Sequence, residues 1–130
     1  MQEHRSIEQL ENDYWKNVDF PSSLVEKCFA YRKIPVSELS MEQLRLLVGQ
    51  QIGLPYTIPK AMTVLQADIL AEGDYYPGDL LNSLLDLSQA DWNHSPNEKT
   101  KLIELVRQNI STIEATKSRE LIRKVKAYLS

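Results

Sequence analysis

A chain of 130 residues and 15.0 kDa is long enough for one domain with its own core. Its 42% apolar and 25% charged residues are ordinary globular usage, which excludes a disordered tail, a collagen-like rod and a low-complexity linker. The net charge of −3 is unevenly spread: residues 1–98 carry −8 and residues 99–130 carry +5.

No apolar run reaches the roughly 18 residues of a membrane span. The polar start Met1-Gln2-Glu3-His4-Arg5 is not followed by the apolar stretch of a secretory signal, so the chain reads as cytosolic. One cysteine, Cys28, makes neither an internal disulfide nor a cysteine-based zinc site.

Gly and Pro punctuate segments of helical period. Ser6-Ile7-Glu8-Gln9 reads as a capping box that opens a helix to about Asp13. Ser23-Leu24-Val25-Glu26 reads as a second box, with Leu24, Val25, Cys28 and Phe29 on one face and a stop before Pro35. Ser40-Met41-Glu42-Gln43 starts a third helix, through Leu44, Leu47 and Val48 to about Gln51. Pro59 marks the start of a fourth, with Ile58, Ala61, Met62, Leu65 and Ile69 on its stripe. Leu80, Leu81, Leu84, Leu85 and Leu87 mark a fifth, after Pro77-Gly78. Ser95-Pro96-Asn97-Glu98 reads as the clearest box, with Pro at the first helical position. Beyond it run two stripes, one through Leu102, Ile103, Val106, Ile110 and Ile113, the other through Leu121, Ile122, Val125, Tyr128 and Leu129. Whether residues 96–129 form one helix or two is open, with breaks expected at Ser111-Thr112 and Thr116-Lys117-Ser118. No segment alternates with period two. The expected fold is all-α, one domain over residues 1–130 with about six to eight helices.

No catalytic constellation is evident. His4 sits in a polar tail, and His94 lies before a helix with no nucleophile beside it. Cys28 falls on an apolar stripe, as a buried inert thiol does. No phosphate loop, zinc motif or calcium loop is present, so no cofactor and no metal are expected.

Two segments stand out. Leu44 to Ala61 has the outline of a helix-turn-helix, which makes a DNA-binding regulator the alternative reading. Its second helix, however, offers one cation, Lys60, in acidic surroundings. Leu70-Ala71-Glu72-Gly73-Asp74-Tyr75-Tyr76-Pro77-Gly78-Asp79-Leu80-Leu81 packs three carboxylates and two tyrosines into a connection between helices. A helix cap, a partner surface and an acid–base pair drawn from Glu72, Asp74 and Asp79 are its possible roles. The stretch 34–98 holds only Arg45 and Lys60 against nine carboxylates. Such a surface repels nucleic acid and suits a basic protein.

The same blocks, Gly53-Leu54-Pro55-Tyr56 and Ala71-Glu72-Gly73-Asp74-Tyr75-Tyr76-Pro77-Gly78-Asp79, with the upstream Ser6-Ile7-Glu8-Gln9-Leu10-Glu11 and Leu39-Ser40-Met41-Glu42-Gln43-Leu44, resemble the contact-dependent growth inhibition (CDI) immunity proteins, the CdiI family. The resemblance covers about residues 6–93; the basic helical region, about 96–129, carries no such motif. It implies a small cytoplasmic protein without enzyme activity. Such a protein binds and neutralises the toxic C-terminal domain, often a nuclease, of the producing cell's own surface effector. A one-to-one complex is expected, with neither nucleic acid nor membrane as partner. The acidic centre fits a cationic nuclease groove. Glu72, Asp74, Asp79 and Asp86 are the candidate charges for the toxin, and Tyr75, Tyr76 and Trp92 the candidate aromatic anchors, with Tyr56 a further one. Because such proteins face different toxins, shared motif positions belong first to the scaffold. The interface then falls as readily on surface outside the motifs, the basic C-terminal region included.

Overall fold

The computed structural model describes residues 3–15, 22–73 and 75–130. The helices run in the order α1 (Ile7–Glu11), α2 (Ser23–Tyr31), α3 (Met41–Gly49), α4 (Leu54–Ala67), α5 (Asp79–Leu85), α6 (Gln89–Trp92), α7 (Pro96–Gln108), α8 (Ile110–Ala115) and α9 (Arg119–Leu129). A 3₁₀ turn at Val36–Glu38 lies between α2 and α3. No strand occurs among the described residues, and the fold is all-α as the periodicity predicts. The segment before α1 is pinned to the 3₁₀ turn by backbone bonds from Val36 N to Arg5 O (3.0 Å) and from Ser37 N to Glu3 O (2.9 Å).

The serine caps decide most helix starts. Ser6 and Ser40 form the expected boxes with Gln9 and Gln43. The cap of α2 is Ser22, one residue before the expected Ser23; its hydroxyl accepts from Val25 N at 3.2 Å. Of the stripe assigned to that helix only Cys28 is buried, while Leu24 faces solvent. Burial pushes the Cys28 thiol above its ordinary pKa, which suppresses thiolate chemistry.

The helix expected at Pro59 begins five residues earlier, at Leu54. Gly53 caps it in the left-handed region (φ 60°), and its carbonyl accepts from Tyr56 N and Thr57 N, each at 2.9 Å. A Cβ on Gly53 would meet the Ile7 side chain at 2.8 Å, so both space and backbone demand glycine. Pro59 thus lies inside the helix, where a proline costs about 3 kcal/mol. Full burial of Ile58, Ala61, Met62 and Leu65 offsets it, at roughly 2 kcal/mol for each larger side chain. The turn before α4 is a Schellman closure of α3: Ile52 N donates to Leu47 O (2.9 Å) and Gln51 N to Val48 O (3.0 Å). Gln51 occupies its left-handed position with φ 55°, where glycine is the usual residue.

The one-turn helix α6 has no expectation behind it; Ser88 boxes it with Asp91, a shorter acid than the usual Glu or Gln. Conversely, the box expected at Ser95 does not form. Ser95 N is already bound to Trp92 O (2.8 Å), and with ψ 52° rather than an extended value its side chain makes no cap bond to α7. The C-terminal region is three helices rather than one or two. Asn109 Nδ2 donates to Leu105 O (2.8 Å), a side-chain competition that breaks α7 from α8. Lys117, at φ 59°, makes the second break, within the expected Thr116–Ser118; the other expected break, Ser111-Thr112, lies inside α8.

Helix α3 packs on α4 and α5, α4 also on α7, and α9 on α5 and α7. One apolar cluster joins them, from Ile7 through Leu44, Leu47, Ile58 and Leu81 to Leu102, Ile113 and Val125. Among the described residues no helix is long and apolar enough to cross a membrane.

Candidate functional site

The loop between α4 and α5 is organised by the carboxylate that ends it. Asp79 is 3% exposed. Its Oδ1 accepts from Gly73 N at 2.6 Å and its Oδ2 from Tyr75 N at 2.9 Å, with Arg45 Nε at 3.9 Å. A buried carboxylate holding two backbone N–H groups and facing a guanidinium is satisfied, and it ties the loop to both α5 and α3. The glycines follow from the same geometry. A Cβ on Gly73 would stand 3.0 Å from Arg45 Cβ and 3.2 Å from Met41 O. Gly78 caps α5 with φ 92°, and a Cβ there would stand 3.0 Å from Leu121 Cδ2. The unusual Gly-Asp-Tyr-Tyr-Pro-Gly-Asp run is therefore a brace for the fold first.

That brace sorts the candidate residues. Asp79 and Trp92, expected on the partner-facing surface, lie inside: Asp79 is consumed by the loop, and Trp92, 1% exposed, is a core side chain. Burial of its large ring outweighs its indole Nε1, which is buried without a hydrogen-bond partner. Asp74 lies outside the described residues. Tyr75 is 73% exposed, with its ring against the Arg45 guanidinium at 4.7 Å. Tyr76 is also exposed, and its hydroxyl accepts from Asn82 Nδ2 at 2.6 Å. Glu72 faces solvent. Asp86 is exposed at the end of α5 and accepts from Lys124 Nζ at 2.8 Å. Burial alone lowers the Lys124 pKa, but Asp86 and Glu120 outweigh it and hold the ammonium above its ordinary value. Tyr56 is half-buried on α4.

The stacked pair Arg45–Tyr75 stands between two depressions. One, of ≈ 130 Å³, lies between α2 and α3 and is lined by Leu24, Lys27, Tyr31, Glu42 and Leu46 together with the pair. The other, of ≈ 340 Å³, is lined by Gln50, Gln51, Tyr76, Asn82 and Asp86 with the same pair. Sequence reasoning missed Leu24, Tyr31, Arg45 and Asn82 as members of this face. Leu24 carried the only usable signal, an apolar residue beside a helix cap, but its position on the α2 stripe pointed inward.

Within residues 34–98 both cations are engaged inside the fold, Arg45 with Asp79 and Tyr75, and Lys60 Nζ with Ser37 O at 3.0 Å. Glu38, Glu42, Asp68, Glu72 and Asp86 remain exposed. Of these, Asp86 is bound to Lys124 Nζ, and Glu42 shares its depression with the exposed Lys27.

The other readings meet obstacles in the same geometry. In a helix-turn-helix, α4 would present a face to DNA, but α4 is the central packing helix and Lys60 is turned onto the 3₁₀ turn. For acid–base work, Asp79 has both oxygens occupied and Glu72 points to solvent. Among the described residues no group of three or more His, Cys, Asp or Glu is placed to hold a metal ion.

Comparison with known proteins supplies the remaining element. No curated protein and no solved structure gives a match. A family model described as CDI immunity proteins matches residues 9–102, from α1 into α7, and so includes both the Gly53 cap and the Asp79 brace. The match spans well over half of the chain, which therefore belongs to the family of CDI immunity proteins.

Proposed function

We propose that this chain is an immunity protein that acts by binding the toxic C-terminal domain of a CDI effector in the cytoplasm, one to one, without catalysis. The toxin domain is a nuclease in this reading. The observation that carries it is that both cations of residues 34–98 are turned into the fold while Glu38, Glu42, Asp68 and Glu72 stay exposed; Asp86, also exposed, is bound to Lys124. A nuclease groove is cationic because it must bind phosphates, and an acidic protein face attracts and orients such a groove. Of the expected contact residues, Glu72, Tyr75, Tyr76 and Asp86 are exposed; Asp79 contributes by holding Tyr75 in place.

Growth rescue tests this. The toxin domain encoded immediately upstream is expressed with and without the chain, and colony counts are compared. Rescue by the intact chain supports the reading. Unchanged killing at equal toxin levels contradicts it. A nuclease partner further predicts that RNA or DNA breakdown in toxin-expressing cells stops when the chain is present.

A further inference from the structure

Helix α9 lies beyond residues 9–102, the part that the family model matches, so the match assigns it no role. Leu121 and Val125 seat it in the core, and the Ser118 hydroxyl caps it by accepting from Leu121 N at 3.3 Å. The opposite face carries Arg119, Arg123 and Lys126, all exposed. At positions i, i+4 and i+7 they form one row about 10 Å long. Among the described residues none of the three has an ion-pair partner. Residues 110–130 hold five cations against two carboxylates. Glu120 is bound to Lys124, as is Asp86 of α5, which leaves Glu114 on α8 as the one unpaired acid of that stretch. The free chain gains nothing from the row. Like charges at i, i+4 oppose each other along a helix. Arg119 is the first residue of α9, the end where the helix dipole favours an acid. Solubility does not call for it either, because in a chain of net charge −3 further cations bring the net charge nearer zero. The row is also next to the candidate face: Lys124, on the flank of α9, bonds Asp86, which lines the depression with Tyr75 and Tyr76. A protein seated on that depression has the row about one helix width, roughly 10 Å, away.

We infer that Arg119, Arg123 and Lys126 form a second contact for the toxin domain and receive an acidic segment of it, its carboxylates spaced as on one helix face. The inference rests on the proposed immunity function and adds the basic half of the interface. A nucleic acid or an anionic membrane fits the row less well. Either extends far past 10 Å and would meet the exposed Glu114 and Glu120, and the row holds no aromatic side chain for a base. A short acidic segment meets the three cations alone, and the two guanidinium forks take carboxylates bidentately. Contacts of opposite sign on the acidic middle and on α9 together fix the orientation of the toxin domain.

The test titrates the upstream-encoded toxin domain with the full chain and two charge-matched variants by calorimetry. Arg119→Glu with Arg123→Glu reverses the row. Lys101→Glu with Arg107→Glu makes the same change of net charge on α7. All four positions are exposed, so the urea midpoints stay close to that of the intact chain. The α9 reversal is expected to weaken binding by roughly thirtyfold or more, and the α7 reversal to stay within threefold. On the intact chain, carbodiimide coupling joins an amine to a carboxylate in direct contact. Mass spectrometry of the digested complex is expected to show Lys126 linked to an Asp or Glu of the toxin domain. Unchanged affinity of the α9 reversal, or equal weakening by both reversals, overturns the inference and leaves the immunity function standing. A complex in which other lysines couple to the toxin domain and Lys126 does not also overturns it. Binding of the free chain to duplex DNA or to phosphatidylglycerol vesicles, lost in the α9 reversal while toxin affinity is unchanged, assigns the row to phosphate and overturns the inference. No binding of the toxin domain by the intact chain overturns both the inference and the immunity function.

Discussion

Replacing Asp79 by Asn changes one charge and almost no volume, so it isolates what the carboxylate does. The two oxygens accept from Gly73 N at 2.6 Å and Tyr75 N at 2.9 Å, and the group faces Arg45 Nε at 3.9 Å. An amide keeps one acceptor and turns the other into an NH₂ that meets a backbone N–H, donor against donor. One hydrogen bond to a charged group is lost, worth about 1.5–3 kcal/mol, and one buried N–H is left without an acceptor. Arg45 also loses its counter-charge at a site where it is only partly exposed. Asp79→Asn should therefore destabilise by about 2–4 kcal/mol, and Asp79→Ala, which removes both bonds, by at least as much. Equilibrium urea unfolding gives the magnitude. Amide exchange gives the location: the Gly73 and Tyr75 amides lose protection before those of α4 and α7. A change below about 0.5 kcal/mol, with those two amides still protected, would refute the claim that this carboxylate organises the loop.

Other consequences of the structure are open to measurement. Gln51→Gly relieves a left-handed residue in the Schellman turn and should stabilise by about 0.5–1 kcal/mol in urea unfolding, despite the lost bond from Gln51 Nε2 to Gly49 O. Gly53→Ala combines a positive φ with a Cβ 2.8 Å from Ile7, and should cost at least about 2 kcal/mol on the same scale. The Tyr128 hydroxyl is buried without a partner, and burial raises its pKa to about 12. Between pH 10 and 12 the unfolded chain then releases a proton that the folded chain keeps, so stability falls with rising pH by roughly 2–3 kcal/mol. Tyr128→Phe should remove that part of the alkaline loss in thermal melts at stepped pH and leave neutral-pH stability equal or higher. If the loss is unchanged in the variant, lysines rather than Tyr128 cause it.

Much of the fold was legible because helix starts are local chemistry. Ser6 and Ser40 have Gln three residues on, and both boxes form as read. Misreadings arose where the deciding contact is not local. Ser95 fails as a cap because α6 already holds its backbone, and α6 was itself overlooked. Pro59 is tolerated inside α4 by a core assembled from distant residues. Trp92 was read as an anchor because aromatic residues among acids suggest a surface, whereas packing against α7 decides its place. The loop motif was visible as unusual, but only the Asp79–Gly73–Tyr75 bonds show why its carboxylate is spent and its tyrosine displayed. Leu24 and Arg45 entered the face through α2–α3 packing, which no spacing along the chain encodes. The basic C-terminal region is tied back to the acidic middle by the Lys124–Asp86 bond and by Leu121 against Gly78.

The central claim is that this chain binds a CDI toxin domain directly. The measurement that addresses it is a calorimetric titration of the intact chain into the upstream-encoded toxin domain at 50 mM and 300 mM salt. One chain per toxin domain is expected, with a Kd in the nanomolar range or below and an affinity that drops by about tenfold at the higher salt as the exposed acids are screened. Absence of heat and of co-migration on size exclusion at 50 mM salt, with both proteins folded, would contradict it.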